Sequence, residues 1–204
     1  MNSGRGPADI HESPRQDPRL PPGQVLTEKW PVLQYGAVPR VDLSKWDLRI
    51  WGRVTQPMRW TWDEYQALPR MQVRSDIHCV TRWSRYDNLW EGVAIRELFR
   101  HVTLEPDARF VLIHADGDPE YTTNLPLTEL LQDDVLLADK HDGAPLAPEH
   151  GWPLRLVVPH RYFWKSAKWV RGFELLERDR SGFWERNGYH NDADPWREER
   201  FSEW

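Results

Sequence analysis

The chain contains one cysteine, Cys79. A lone thiol has three common uses: a small buried hydrophobe, a nucleophile, or, as thiolate, a soft ligand for a soft metal. Residues 71–79 alternate like a strand, which sets Val73, Ser75, Ile77 and Cys79 on one face. Arg74, Asp76 and His78 fall on the other. His78 is therefore a poor base for its neighbour, which weakens the nucleophile reading. The run Val80-Thr81-Arg82-Trp83-Ser84 is predicted as a polar, aromatic loop, and loops after strand ends are where sites gather. Arg82 is close enough in sequence to favour the thiolate.

The second concentration of chemistry lies in residues 150–172. Arg155, Arg161, Lys165, Lys168 and Arg171 cluster there with His150 and His160, in a chain whose net charge is −5. Two readings stand. One is a solvated basic face with cation–π packing on Trp164 and Trp169. The other is an anion pocket, in which Arg grips phosphate bidentately, Lys adds a point charge, and small Ser166 and Ala167 let backbone N–H groups approach. No Walker or dinucleotide-type glycine pattern accompanies it, so a nucleotide is not implied. Two further clusters carry less. Asp116, Asp118 and Glu120 read as a solvated turn. His190, Asp192 and Asp194 have no known ligand spacing.

These residues need elements to hold them. Residues 46–51 alternate as a half-buried strand ending at Gly52. Thr61 and Glu64 form a capping-box pair that opens a short helix. A helix is predicted over 93–102, a strand over 109–115 and a helix over 126–131 with Pro126 near its start. Asp142-Gly143 marks a turn, and 154–158 reads as a strand closed by Pro159. Strands with short helices and no regular βαβ rhythm predict an α+β fold with mixed sheets. The 204 residues, 39% hydrophobic and 29% charged, fit a single domain from residue 27 to 204 behind a Pro-rich arm at 1–26, flexible or wrapped over the surface. Thirteen tryptophans supply a Trp-rich core, or a wall around a flat ligand. The net negative charge argues against nucleic acid and anionic membrane, and no apolar run is long enough to span a bilayer. With no disulfide pair, apolar leader or twin arginine, the expectation is a cytoplasmic protein.

Three stretches, in order, resemble the oxidoreductase molybdopterin-binding domain found in sulfite oxidase and in the catalytic subunit of bacterial protein-methionine-sulfoxide reductase. They are Ile77-His78-Cys79-Val80-Thr81-Arg82-Trp83-Ser84, Tyr121-Thr122-Thr123-Asn124-Leu125-Pro126-Leu127, and Pro153-Leu154-Arg155-Leu156-Val157-Val158-Pro159 with Lys165-Ser166-Ala167-Lys168. The resemblance runs from about residue 30 to about 176 and implies the sulfite-oxidase fold with a molybdenum–molybdopterin cofactor. Cys79 matches the molybdenum ligand. Arg155, Ser166, Ala167 and Lys168 match positions that hold the pterin and its phosphate, and His150 matches a further pterin contact that is usually Asn in the reductase branch. Tyr121 matches an active-site tyrosine; a phenol there can donate a hydrogen bond to a metal-bound oxygen or to substrate.

The departures bear on the reaction. The family's substrate-binding arginine aligns with Leu33, and an Asn-His pair aligns with Gln34 and Tyr35, which are carried as cofactor contacts. Arg82 is the candidate replacement cation. Haem, flavin and iron–sulfur motifs are lacking, so an external electron-carrier protein is expected beside the small-molecule substrate. Loss of the arginine favours S-oxide or N-oxide reduction over sulfite oxidation. The competing expectation is a catalytically silent module that uses the same pocket for a phosphate-bearing ligand. The aromatic, charged tail from Gly182 is predicted to pack over the domain.

Overall fold

Two mixed sheets position everything else. The computed structural model describes residues 17–117 and 119–202. In chain order its strands and helices are β1 (Val25–Leu26), β2 (Asp47–Gly52), β3 (Met58–Thr61), α1 (Trp62–Gln66), β4 (Met71–His78), β5 (Trp83–Ala94), α2 (Ile95–Phe99), β6 (Phe110–Ala115), β7 (Tyr121–Pro126), α3 (Leu127–Leu130), β8 (Leu136–His141), β9 (Ala144–Pro145), β10 (Arg155–Val157), β11 (Val170–Leu176) and α4 (Phe183–Arg186). Short 3₁₀ turns at Pro148–His150 and Phe163–Lys165 complete the set. This is the α+β architecture with mixed sheets that the sequence predicts.

The first sheet runs β1-β5-β8-β10, with β4 on β5 and β9 on β8. The second runs β3-β2-β11-β6-β7, and its β2–β11 pair is parallel. The main core lies between them. Leu48, Ile50, Val111 and Phe173 from the second sheet meet Val93, Leu137 and Leu156 from the first, all buried. A second cluster, around Trp90, Ile77 and Leu146, packs with Trp30, Trp83 and Phe163 and leads toward the site.

Local signals hold where the partner is near in sequence. The Thr61 hydroxyl accepts from the Glu64 amide, and the Glu64 carboxylate accepts from the Thr61 amide, so the capping box opens α1. The Asp142-Gly143 turn joins β8 to β9 with both residues at positive φ. The helix predicted over 93–102 is shorter than expected. Val93 and Ala94 finish β5, because Val93 pairs with Leu137 and Ala94 with Leu136. Gly92 permits that crossing: a Cβ there would lie 1.8 Å from the Leu137 carbonyl oxygen.

The loop expected at 80–84 is also shorter, since Trp83 and Ser84 already belong to β5. What remains is the tight turn of the β4–β5 hairpin. The Cys79 amide donates to the Trp83 carbonyl, and the Arg82 amide donates to the Cys79 carbonyl. Arg82 closes the turn at φ 71. Of the arm expected at 1–26, residues 1–16 lie outside the described residues. The rest lies along the first sheet: Arg19 bonds Asp76, and β1 pairs with the start of β5.

Candidate active site

Where the hairpin turn meets the 3₁₀ turns and the end of β7, the fold leaves a cavity of about 370 Å³. Cys79 comes from the hairpin turn, Tyr121, Thr122 and Thr123 from β7, and His150 and Arg155 from the segment entering β10. Phe163, Trp164, Ser166, Ala167, Lys168 and Trp169 follow from the segment leading to β11. Trp30, Leu33, Gln34 and Tyr35 form the side toward the N-terminus, and Trp184 and Tyr189 come from the C-terminal segment. The expected cofactor contacts are thus brought together, with Cys79 and Tyr121. Arg82 is not: it is exposed, absent from the lining, and its guanidinium lies beside Gly23. The positive φ that closes the turn sends residue 82 away from the residue-79 side.

Cys79 is only 8% exposed, and its Sγ lies 3.2 Å from the Thr81 hydroxyl. Its carbonyl is held by the Gln24 side-chain amide at 3.0 Å. Burial pushes the thiol pKa up, while Thr81 and the charges of Arg155 and Arg200 pull against it. The free thiol therefore keeps its proton, and a bound metal would be needed to hold it as thiolate.

Five cations were expected around the basic segment, and the structure divides them. Three find carboxylates elsewhere. Arg161 pairs with Glu129, and Arg171 with Asp47 and Asp116. Lys165, fully buried, lies 2.8 Å from Glu185 and also donates to the Asn124 carbonyl. His160 likewise faces Glu129, at 3.4 Å.

Arg155 and Lys168 are different. Among the described residues they are the charged side chains that line the cavity, and neither has a carboxylate partner. Arg155 donates only to the His150 carbonyl at 2.9 Å, packs its guanidinium 3.9 Å from the Phe163 ring centre, and leaves a buried Nε without a partner. Burial drives its pKa down to about 9. Lys168 donates to the carbonyls of Leu33 and Glu149 and to Gln34 Oε1; burial, then the charge of Arg155, lowers it to about 7. A buried and a half-buried cation without an anion are costly, and a phosphate between them would relieve both.

Smaller features fit the same ligand. The Ser166 hydroxyl accepts from the Val158 amide, so its proton is available toward the cavity. Gly151, at φ 114, leaves room beside Lys168, since a Cβ there would lie 3.2 Å from the Lys168 Cα. His150 stacks on Trp30 at 3.7 Å, and burial and Arg155 lower its pKa to about 4, so it is neutral at pH 7. Gln34 holds Lys168, whereas Tyr35, 58% exposed, lies at the rim against Phe183. The donor set therefore fits a molybdenum–pterin: a soft sulfur, a carboxylate-free cation pair for a phosphate, and flat aromatic walls.

The sequence reading missed the cavity wall supplied by Trp30, Trp184 and Tyr189. The abundance of tryptophan was the available signal. The tail does pack over the domain. The His190 carboxylate cluster involves Asp192 and Glu199 rather than Asp194. There His190 Nδ1 accepts from the amides of Asp192 and Ala193, which occupies its lone pair within the turn.

Residues 35–184 match the profile of a family described as the oxidoreductase molybdopterin binding domain. An uncharacterized oxidoreductase of Bacillus subtilis, YuiH, is 47% identical over 188 residues, covering 92% of this chain and 94% of that protein. The putative protein-methionine-sulfoxide reductase subunit YedZ1 of Azospira oryzae is 28% identical, over 87% of this chain and 68% of its own length. Mitochondrial sulfite oxidase of Drosophila melanogaster is 26% identical over 74% of this chain, which spans 31% of it. The sulfane dehydrogenase SoxCD of Paracoccus pantotrophus shares the fold, with a TM-score of 0.66 at 21% identity over 78% of this chain and 46% of that one. Profile, relatives and fold agree with the cavity's donor set: the chain belongs to the oxidoreductase molybdopterin-binding domain family.

Proposed function

We propose that this molybdopterin-dependent oxidoreductase reduces a neutral S-oxide or N-oxide, with electrons from an external donor protein. In the overall reaction the S–O or N–O bond breaks, two protons and two electrons are taken up, and the oxygen leaves as water. When bound, the molybdenum–molybdopterin group supplies the two-electron change and the atom that accepts oxygen. In this reading Cys79 provides the thiolate ligand. Arg155 and Lys168 take the phosphate, and Ser166, Ala167 and His150 flank the pterin. Gln34 keeps Lys168 aimed inward, and Tyr35 borders the entrance. Tyr121, which lines the same cavity, takes the role of donor to the substrate oxygen in this reading.

The observation that carries the choice of substrate is the position of Arg82 outside the cavity. Sulfite is a small dianion and needs a fixed cation. Leu33 offers none, Arg82 is turned away, and Arg155 with Lys168 are taken up by the phosphate. Lack of a buried charge-assisted partner costs an anion on the order of 2–5 kcal/mol. Trp164, Trp169 and Trp184 suit a neutral, partly apolar molecule instead. The relative named as a methionine-sulfoxide reductase subunit points the same way.

Steady-state assays decide it: dimethyl sulfoxide, methionine sulfoxide and trimethylamine N-oxide with a reduced viologen dye, against sulfite with ferricyanide. Reduction of at least one oxide with poor sulfite turnover is expected. Efficient sulfite oxidation at low concentration, with no oxide reduced, overturns the reading. No helix among the described residues is long and apolar enough to cross a membrane. A cytoplasmic site of action belongs to the same proposal, and cell fractionation checks it.

A further inference from the structure

The family match ends at residue 184, yet the cavity wall continues to Tyr189. The segment that brings it there is anchored at both ends. On one side α4 is tied down by Glu185, whose carboxylate accepts from the Thr123 hydroxyl and the Trp164 indole and pairs with Lys165. On the other side Arg200, almost fully buried, donates to the Val80 carbonyl at 2.9 Å and the Pro22 carbonyl at 3.2 Å. That bond joins the C-terminal segment to the turn holding Cys79. Between the anchors, the Tyr189 amide donates to the Trp184 carbonyl, Gly188 turns at φ 92, and Tyr189 bridges to Phe201.

The ring of Tyr189 is fixed against Trp164 at 5.0 Å, Trp184 at 5.2 Å and Phe201 at 5.5 Å. Its phenol has no hydrogen-bond partner among the described residues. Tyr189 and Cys79 line the same cavity. A half-buried phenol on a rigid aromatic wall, in the same cavity as Cys79, is a donor open to a ligand's acceptor atom.

We propose that Tyr189 is a substrate-binding residue: its phenol donates a hydrogen bond to the oxygen of a small S-oxide or N-oxide packed against Trp164 and Trp184. The choice of acceptor rests on the function proposed above. Tyr189 acts beside Tyr121, as a second donor supplied by the segment beyond the family match. This placement also makes Tyr189 a determinant of specificity, since its ring limits how large a group can sit beside the oxygen.

The test uses holoenzyme and Tyr189→Phe, which keeps the ring packing and removes only the hydroxyl. The probe is dimethyl sulfone, which presents an S–O acceptor between two methyl groups as the sulfoxide does and carries one further oxygen in place of the sulfur lone pair, read by quenching of tryptophan fluorescence. The variant is expected to bind the sulfone about tenfold more weakly, the loss of one net hydrogen bond. Its KM for dimethyl sulfoxide should rise by a similar factor, with molybdenum content, pterin content and Tm unchanged. Tyr189→Ala should improve kcat/KM for methyl p-tolyl sulfoxide relative to dimethyl sulfoxide. Equal sulfone affinity in wild type and Tyr189→Phe overturns the proposal. So does wild-type enzyme that does not bind the sulfone, or loss of cofactor in Tyr189→Phe. Sulfone binding that depends on Tyr189, in an enzyme that reduces no oxide, supports Tyr189 and overturns the reaction proposed above.

Discussion

Cys79 and Arg155 lie in one cavity and do separable work, which a contrasting pair of variants exposes. Cys79→Ser replaces a soft ligand with a harder one and leaves the phosphate cradle intact. It should abolish turnover while most of the pterin stays bound. Arg155→Ala removes a charge-assisted contact of about 1.5–3 kcal/mol and also relieves a buried, unpaired cation. It should lose cofactor with little loss of fold stability. Molybdenum analysis, pterin fluorescence after oxidation, and thermal melts of each variant check both. Normal turnover in Cys79→Ser, or full pterin occupancy in Arg155→Ala, would contradict the assignment. At this scale the sequence was readable in types and less so in partners. The five basic residues were visible as a cluster. Their sorting was not, because the carboxylates of Glu129, Asp47 and Glu185 that claim three of them lie 20 to 124 residues away.

Among the elements, α4 is the one whose attachment is most exposed to a single change. Lys165 and Glu185 form a buried pair, and removing one partner leaves the other charge uncompensated. Glu185→Ala should cost about 3–5 kcal/mol in urea unfolding, while Glu185→Leu combined with Lys165→Met should recover most of it. A loss below 1 kcal/mol in the single variant would show that Asn124 alone suffices for Lys165. The legibility of elements follows the range of the contact that fixes them. The α1 cap is closed by residues three apart and could be read directly. The change from β5 to α2 is fixed by Val93 and Ala94 pairing with β8, more than 40 residues onward, and the apolar spacing of 93–102 could not reveal it.

For the whole molecule, acid is the condition to which packing makes it sensitive. His141 sits between Trp30 and Trp90, beside Arg85, Asp142, Arg155 and His150. Burial, with Arg85 and Arg155 adding to it, lowers its pKa to about 4 and outweighs Asp142. The folded state then binds fewer protons than the unfolded state between pH 6.5 and 4. This contribution is whole above pH 6.5 and is lost as pH falls toward 4. His141→Gln should therefore lose about 2 kcal/mol less than wild type between pH 7 and pH 4.5, measured by urea denaturation at both values. Identical pH slopes would show that His141 is protonated in the fold.

The parallel pairing of β2 with β11 has a consequence for how the cavity is assembled. Residues 49–52 find their partners only at 172–175, and the cavity is closed later still, when Arg200 reaches Val80. Both contacts join residues more than 100 positions apart. Such distant pairing is also slow to form. Cofactor entry is therefore tied to a domain whose far-apart segments have already met, with the Arg200–Val80 contact latching the cavity.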